Sequence, residues 1–219
     1  MDVRPLLART ELFEGLDADA LDTLAAEATL LSMQRNVVVF GEGDPADQLF
    51  LVRSGRIAIV KRSQEGRESV VALMEPGDLF GELSLFDNAT RSAGARALEA
   101  SELVAVSFDG VRGLIRSRPE MLWGVVALLA RRLRSTDAAL ADSMFLDVPG
   151  RTAKRLLELA AGADEFALPI TQEELAGMVG ASRERVNKAL SQFIRLGWLT
   201  MNDRRYRITD RVQLENRAH

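Results

Sequence analysis

The N-terminal segment carries a helical pattern of apolar positions. Four residues recur at spacings of three and four: Leu21, Leu24, Ala25 and Ala28. This spacing places the four side chains on one face of a helix. We therefore predict short helices over residues 6–31.

From Val37 onwards the pattern changes to short apolar runs separated by turn-forming residues. The runs are VVVF, LFLV, IAIV, VVALM and ARALEASELVAVSF, and the segments between them include GEGDPAD, RSG and EPGD. Short apolar runs bounded by Gly, Pro and Asp are typical of small antiparallel barrels or rolls. We therefore predict a β-roll in this part of the chain.

A long helix is predicted after the strand-rich region. Pro119 suits the first turn of a helix, and the helical pattern runs from about Glu120 to Phe145. Seven positions alternate in spacings of 4 and 3 residues: Leu122, Val126, Leu129, Leu133, Thr136, Leu140 and Ser143. Such a seam is typical of helices that self-associate. The alternative is a helix packed on the core of its own domain.

The segment Asp147-Val148-Pro149-Gly150 marks a boundary. Asp147 is a favourable N-cap and Pro149 fits the first turn of the next helix. That helix has an apolar face made of Ala153, Leu156, Leu157 and Ala160. We therefore predict three parts: an N-terminal domain over 1–118, a connecting helix over 119–146 and a C-terminal domain over 147–219.

Residues 171–196 predict two helices joined by a tight turn. Thr171 and Glu174 have the spacing of a capping box, and Ser182 can cap the second helix after the turn at Gly180. The expected buried positions of the first helix are Leu175, Met178 and Val179. Those of the second helix are Val186, Ala189, Leu190, Phe193 and Ile194. This arrangement fits a helix-turn-helix.

The N-terminal part of the second helix carries side chains that can contact base edges: Arg183, Glu184, Asn187 and Lys188. Arginine can bind guanine, glutamate can accept from cytosine, and lysine can contact guanine or phosphate. A predicted hairpin follows, and its positive charges are Arg204, Arg205 and Arg207. These features favour DNA binding over an ordinary antiparallel helix pair with charged outer faces.

Residues 76–93, PGDLFGELSLFDNATRSA, contain a candidate anion pocket. Gly81 lets a ligand approach the backbone, and Glu82 to Phe86 can form one helical turn with free N–H groups. Glu82 can accept from sugar hydroxyls, while Arg91 and Ser92 can bind a phosphate. The other interpretation of these residues is a simple turn with a surface arginine.

Composition narrows the function further. The chain has no cysteine and one histidine, His219, which excludes disulfides and thiolate metal sites and argues against histidine-dependent catalysis. We predict no membrane span and no secretory signal, and hence a cytoplasmic protein. Residues 148–219 hold 12 basic and 9 acidic side chains although the whole chain has a net charge of −4. This asymmetry favours nucleic-acid contact in the last third.

The residues quoted above resemble the cyclic AMP receptor protein (CRP) branch of the Crp/Fnr family of transcription regulators. The resemblance covers residues 10–209 and includes GEGDPAD, FGELSLF followed by RSA, ARRLRST, FLDVPGR and TQEELAGMVGASRERVNKAL in this order. The FLDVPGR segment, which would be a hinge between the domains, and the helix-turn-helix segment look most like those of actinobacterial members. The resemblance implies an α+β chain with a cyclic-nucleotide-binding β-roll of the jelly-roll type, a dimerisation helix and a C-terminal winged helix-turn-helix.

The resemblance also implies a ligand, cyclic AMP, and residues that bind it. Gly81 and Glu82 would hold the ribose 2′-OH, and Arg91 with Ser92 would hold the cyclic phosphate. Thr136 would reach the adenine amino group, and Asp137 would do so from the partner subunit. In the family the segment FGEL…RS, residues 80–92 here, is the phosphate-binding cassette. Leu83 and Ser84 of this cassette complete the implied ligand-binding set. No metal, haem or iron–sulfur cluster is expected.

The implied function is allosteric control of DNA binding in a homodimer that is not an enzyme. Cyclic AMP would shift a two-state equilibrium of the seam and of the hinge at 145–150. The recognition helices would then fit major grooves about 34 Å apart on a pseudo-palindrome with TGTGA-like half-sites. Arg183 would read guanine and Glu184 cytosine. The expected DNA-contacting set is Thr171, Ser182, Arg183, Glu184, Asn187, Lys188, Arg204 and Arg205, and RNA polymerase is a further expected partner.

Two positions depart from the family pattern. Asp137 stands where members usually have serine or asparagine, and Lys188 stands where enterobacterial members have a base-reading arginine. Two other functions remain open. One is the same fold and DNA binding without cyclic AMP control, or with another effector. The other is a nucleotide-sensing regulatory subunit that acts on proteins.

Overall fold

The computed structural model describes residues 2–63, 66, 68–202 and 205–219. The chain divides into two compact units. The first unit comprises Met1–Lys61 and Ala72–Arg134, and the second comprises Arg62–Val71 and Ser135–His219. Each unit has its own buried core.

The first unit begins with helices α1 (Arg4–Arg9) and α2 (Ala18–Glu27), separated by a short 3₁₀ helix at Glu11–Phe13. Asp17 caps α2 by accepting from the Ala20 N–H at 2.9 Å. The prediction of helix as far as residue 31 is wrong, because Thr29–Met33 forms strand β1. These residues pair with a distant strand, and such tertiary pairing decides strand formation more than the local sequence does.

The predicted β-roll is confirmed. Its further strands are β2 (Val38–Phe40), β3 (Gln48–Ser54), β4 (Ile57–Arg62), β5 (Glu68–Met74), β6 (Leu79–Phe80), β7 (Gly94–Ala97) and β8 (Ser101–Ser107). They form two four-stranded sheets with the orders β1-β8-β3-β6 and β2-β7-β4-β5. Pairs such as Leu51 with Val104 and Ile59 with Ala95 are antiparallel. Their inward side chains form an apolar core that includes Phe50, Phe80 and Leu103.

Three helices accompany these strands. Helix α3 (Leu83–Asp87) is the short turn predicted after Gly81, displaced by one residue. Helix α4 (Phe108–Ser117) was not predicted. A 3₁₀ turn at Pro119–Met121 leads into the long helix α5, Leu122–Phe145, which agrees with the predicted span.

The second unit has the helix-turn-helix and the hairpin that the sequence predicts. Its elements are α6 (Val148–Ala160), β9 (Glu165–Ala167), α7 (Gln172–Val179), α8 (Arg183–Arg195), β10 (Leu199–Asn202), β11 (Arg205–Ile208) and α9 (Arg211–Arg217). The strands form an antiparallel sheet in the order β10-β11-β9. Strand β9 and helix α9 were not predicted. The fully buried side chains of Leu156, Leu175 and Phe193 belong to the core of this unit.

Candidate functional site

Gly81 lies between β6 and α3 in a conformation that suits glycine. Its φ is +79°, in the left-handed region that L side chains rarely adopt. A Cβ at this position would also stand 2.7 Å from Nη1 of Arg91. The glycine therefore lets the Arg91 guanidinium approach the backbone of the cassette.

Glu82 is fully buried at the start of α3. Its Oε2 accepts from Nη2 of Arg132 at 3.3 Å, whereas Oε1 has no hydrogen-bond partner among the described residues. Burial raises the pKa of Glu82, and the nearby charge of Arg132 only partly opposes this shift. The carboxyl group thus has one acceptor atom available for a ligand hydroxyl.

Arg91 is almost completely buried and lies beside Glu82 in the same pocket. Its Nη1 donates to the Gly81 carbonyl at 2.6 Å and its Nη2 to the Gln48 carbonyl at 2.7 Å. The Nε atom has no partner among the described residues. Burial lowers the pKa of Arg91, while the charge of Asp47 opposes the shift. Arginine stays protonated in proteins, so the site retains a buried cation.

Six residues of the predicted cassette line one pocket: Gly81, Glu82, Leu83, Ser84, Arg91 and Ser92. The pocket contains about 360 Å³ of unfilled space, part of it open to solvent. Ser84 donates its hydroxyl to the Thr90 carbonyl at 3.2 Å, so that hydrogen already has a partner within the cassette. The other two predicted ligand residues, Thr136 and Asp137, are exposed on α5 and belong to the second unit.

Arg132 is a pocket residue that the sequence analysis missed. It reaches the cassette from α5 and also donates to the Leu79 carbonyl at 2.7 Å. Arg132 precedes Thr136 by four residues, so the two lie on the same side of the helix. The four-residue spacing from Thr136 is a signal that could have identified Arg132. The sequence analysis used the apolar heptad pattern instead, and that pattern carries no information about basic side chains.

The caps predicted for the helix-turn-helix are present. The N–H of Thr171 donates to Oε2 of Glu174 at 2.7 Å, and the N–H of Glu174 donates to Oγ1 of Thr171 at 3.2 Å. Gly180 ends α7 with a φ of +67°, and Ser182 caps α8 through the N–H of Arg185 at 3.4 Å. The two helices therefore begin and end where their local sequences indicate.

Most of the predicted apolar face of α8 is buried, namely Val186, Ala189, Leu190 and Phe193. Ile194 is exposed, so the prediction that it is buried is wrong. The periodic apolar face of α8 extends beyond the part that neighbouring elements cover. Met178 of α7 is only partly buried.

The opposite side of α8 carries the candidate DNA-reading residues. Ser182, Arg183, Glu184 and Lys188 are exposed, and so is Thr171 at the start of α7. Asn187 differs from them, because it is partly buried and its Oδ1 atom has no partner among the described residues. The first turn of α8 therefore presents both signs of charge to solvent.

The hairpin carries arginines beside the recognition helix in sequence. Arg205 is exposed on β11, and Arg207 on the same strand forms an ion pair with Glu165 of β9. Arg204 lies outside the described residues. The charge of Arg207 is thus partly neutralised within the sheet.

Asp147 stands at the predicted hinge and caps α6 by accepting from the Gly150 N–H at 2.9 Å. It also forms an ion pair with Arg217 of α9. Burial alone would raise the pKa of Asp147, but these two contacts outweigh it and lower the pKa. Close by in sequence, Lys154 of α6 contacts Asp142 of α5 at 2.6 Å. These contacts anchor the hinge within the second unit.

Comparison with known proteins agrees with these features. A model of the cyclic nucleotide-binding domain matches residues 30–118, and one of the Crp-like helix-turn-helix domain matches residues 150–217. A CRP-like cAMP-activated global transcriptional regulator of Mycobacterium tuberculosis is 40% identical over 97% of this chain and 98% of its own length. The chain belongs to the CRP branch of the Crp/Fnr family.

Two further similar proteins are informative. The cyclic AMP receptor protein of Thermus thermophilus is 33% identical over 94% of this chain and 96% of its own length. The structure of the c-di-GMP responsive global regulator CLP of Xanthomonas campestris has 26% identity and a TM-score of 0.75, covering 88% of this chain and 99% of the other. Proteins that resemble this chain therefore bear names that point to different nucleotides.

Membership of the CRP branch identifies the chain as a DNA-binding transcription regulator with a cyclic nucleotide-binding domain. The prediction that it is not an enzyme is confirmed, since its relatives are transcription regulators. Across the described ranges, none of the helices combines the length and apolar character needed to cross a membrane.

Proposed function

We propose that this regulator is a homodimer whose sequence-specific DNA binding is controlled by cyclic AMP. The observation that carries the proposal is a pair of buried polar atoms in one pocket, Oε1 of Glu82 and Nε of Arg91. Neither has a partner among the described residues. Burying such groups without hydrogen bonds costs free energy. A ligand with a hydroxyl next to a phosphate satisfies the acceptor and the donor together, and a cyclic ribose phosphate has this pattern.

Adenine is the base that we assign to this ligand. The amino group of adenine is a hydrogen-bond donor, and Thr136 and Asp137 offer oxygen acceptors on α5. The resemblance to relatives named as a cAMP-activated regulator and as a cyclic AMP receptor protein supports the same choice. The carboxylate of Asp137 would favour adenine over guanine, because guanine presents a carbonyl oxygen where adenine has its amino group.

Dimerisation is assigned to the seam of α5. Val126 is 54% exposed, Leu133 62% and Leu140 60% in the single chain. Large apolar side chains that repeat along one helix face usually mark an interaction surface. A second copy with the same heptad spacing would cover them by knobs-into-holes packing. The seam thus supports an isologous dimer through residues 119–146.

DNA reading is assigned to the first turn of α8, within a C-terminal domain over 147–219. In a dimer the two copies of α8 would contact half-sites about 34 Å apart on a TGTGA-like pseudo-palindrome. Arg183 would read guanine and Glu184 cytosine, while Asn187 and Lys188 follow along the groove. Further contacts are assigned to Thr171, Ser182, Arg204 and Arg205, with the two arginines at the DNA backbone. We assign the protein to the bacterial cytoplasm. Since it would act at promoters, RNA polymerase is a further proposed partner.

Control of this binding is assigned to the sensor domain over 1–118. The ligand would bind to the cassette and contact α5, and so favour one arrangement of the seam and of the hinge at 145–150. Because the DNA half-sites have a fixed spacing, only a hinge state with matching spacing of the two recognition helices would bind specifically.

Fluorescence anisotropy tests the proposal. The full chain is titrated onto a labelled TGTGA-type palindrome and onto a scrambled duplex, with and without cyclic AMP, at fixed salt. We expect nucleotide-stimulated binding to the palindrome alone. Arg91→Gln is the matched variant, since it should remove the stimulation and leave weak nucleotide-free binding unchanged. Tight specific binding that ignores the nucleotide would contradict cyclic AMP control.

A different nucleotide effector is the second candidate. The similarity to the c-di-GMP responsive regulator CLP favours including it, because that protein has the same fold. The same titration with cyclic GMP and cyclic di-GMP distinguishes the two proposals. Stimulation by either one, without a response to cyclic AMP, would replace the first proposal.

A further inference from the structure

The guanidinium of Arg91 lies against aromatic rings. Its Cζ atom is 4.2 Å from the ring centroid of Phe40, 5.5 Å from that of Phe50 and 5.7 Å from that of Phe108. The first distance is typical of a guanidinium stacked on the face of a ring. Among the described rings, Phe40 therefore makes the closest contact with the Arg91 cation.

The pairing register of β2 shifts next to Phe40. Val38 pairs with Arg96 and Phe40 pairs with Ala95, so the shift lies between these two β2 residues. Such a break in register departs from the regular alternation of side chains along a strand. Val38 is exposed, whereas Phe40 is partly buried and packs 5.7 Å from Phe50, measured between ring centroids.

The loop that follows β2 also fixes the main chain of Arg91. The N–H of Arg91 donates to the Asp44 carbonyl at 2.9 Å, and the N–H of Gly43 donates to the Arg91 carbonyl at 2.9 Å. One stretch of sequence, from Phe40 to Asp44, thus contacts both the backbone and the side chain of Arg91.

The guanidinium has little freedom but also few polar partners. Nη1 and Nη2 each donate to one carbonyl, of Gly81 and Gln48, and Nε is unpartnered among the described residues. An aromatic face attracts the cation without using any of its N–H groups. A carboxylate in the same place would accept from those groups and compete with a phosphate.

We propose that Phe40 is a positioning residue that holds the Arg91 guanidinium in the orientation that binds the ligand phosphate. The inference rests on the proposed nucleotide site and adds a residue that lies outside the cassette in sequence but lines the same pocket. The ring would act through Arg91, so its removal should weaken nucleotide binding even if the pocket keeps its shape.

Isothermal titration of the full chain with cyclic AMP tests this role. We expect Phe40→Leu to weaken binding roughly tenfold, because it removes a desolvated cation–π contact. Phe40→Tyr keeps an aromatic ring and should bind cyclic AMP like the parent. Phe13→Leu is the matched control, since Phe13 is fully buried in the other core cluster of the same unit. It should lower the melting temperature at least as much as Phe40→Leu and change the affinity by less than about twofold.

A double-mutant cycle separates this role from a general loss of packing. Lysine keeps the charge but lacks the planar group that stacks. Phe40→Leu should therefore cost much less affinity in an Arg91→Lys background. The inference would be overturned if Phe40→Leu lowered the affinity for cyclic AMP equally in both backgrounds. It would also be overturned if Phe40→Leu and Phe13→Leu lowered that affinity equally. Neither result would contradict the nucleotide site itself. Absence of binding by the parent chain would instead overturn the proposed function and the inference with it.

Discussion

Arg132 on the long helix and Glu82 in the cassette form an ion pair, with Nη2 and Oε2 3.3 Å apart. The two ends differ in environment, because the Arg132 side chain is 35% exposed and that of Glu82 is fully buried. Arg132 also donates to the Leu79 carbonyl, next to the same pocket. A charged contact thus links α5 to the residues that we assign to ligand binding.

Removing the Arg132 cation should destabilise the chain. Arg132→Met leaves a buried carboxyl with both oxygens lacking a cationic partner, which we expect to cost about 1–3 kcal/mol of unfolding free energy. The measurement is a urea titration without nucleotide, at fixed protein concentration. Arg131→Met is the control, since Arg131 pairs with Glu11 at the surface. Exposed pairs of this kind contribute less than about 1 kcal/mol, and equal losses for both variants would contradict the burial argument.

Replacing the buried carboxyl should exchange nucleotide affinity for stability. Burial raises the pKa of the Glu82 carboxyl group, so the ionised form is disfavoured in the folded state. Glu82→Gln removes this charge, and we therefore expect a higher melting temperature at neutral pH without nucleotide. The affinity for cyclic AMP should fall by roughly tenfold or more, because a hydrogen bond to a charged acceptor is lost. A melting temperature below that of the parent at neutral pH would contradict this expectation.

The stability difference between Glu82→Gln and the parent should depend on pH. Because the folded state raises the pKa, it binds the proton more readily than the unfolded chain does. The parent therefore gains stability as the pH falls through the raised pKa towards the ordinary value of 4.5. Melting curves between neutral and acidic pH should show that the melting temperatures of the two proteins converge as the pH falls. A constant difference between them would contradict a raised pKa for Glu82.

A charge on the seam should dissociate the proposed dimer. Leu133→Asp would bury an unpaired carboxylate in each subunit, and we expect the dissociation constant to rise by about a hundredfold or more. Sedimentation velocity over a range of concentrations measures this. Ala138→Asp is the control, because Ala138 is exposed on α5 at a heptad position away from the seam. Unchanged association of Leu133→Asp would exclude this seam as the interface.

Arg183→Ala should weaken specific DNA binding by about 1–3 kcal/mol and relax the preference at one base pair. Loss of a base contact leaves phosphate contacts intact, so binding to a scrambled duplex should hardly change. Anisotropy with the palindrome, with single-base variants and with the scrambled duplex separates these effects. Arg195→Ala, at the opposite end of α8, should leave the base preference unchanged. Equal losses on specific and scrambled DNA for Arg183→Ala would contradict base reading.

Features that depend on a few neighbouring residues could be predicted well. The capping box of Thr171 with Glu174 and the cap at Asp147 are present. A cap joins groups three residues apart, so the sequence contains the whole interaction. The positions of α5, α7 and α8 follow from side-chain periodicity for the same reason.

Features that depend on distant partners were missed or wrong. The predicted helical segment includes residues 29–31, but these residues pair as a strand with β8, Leu31 opposite Leu103. Ile194 continues the apolar face of α8 and is nevertheless exposed. Periodicity identifies which side of an element is apolar, but it does not show where neighbouring elements stop covering that side.

The sequence alone predicted the long helix, the helix-turn-helix with its caps, a set of candidate ligand residues and, through resemblance, the family of this regulator. The tertiary structure decided which of these residues share a pocket. Only the fold brings Arg132 to Glu82 and places the Phe40 ring on Arg91. It also decides which polar atoms are left buried without a partner, because burial and contact belong to packing between segments that lie far apart along the chain.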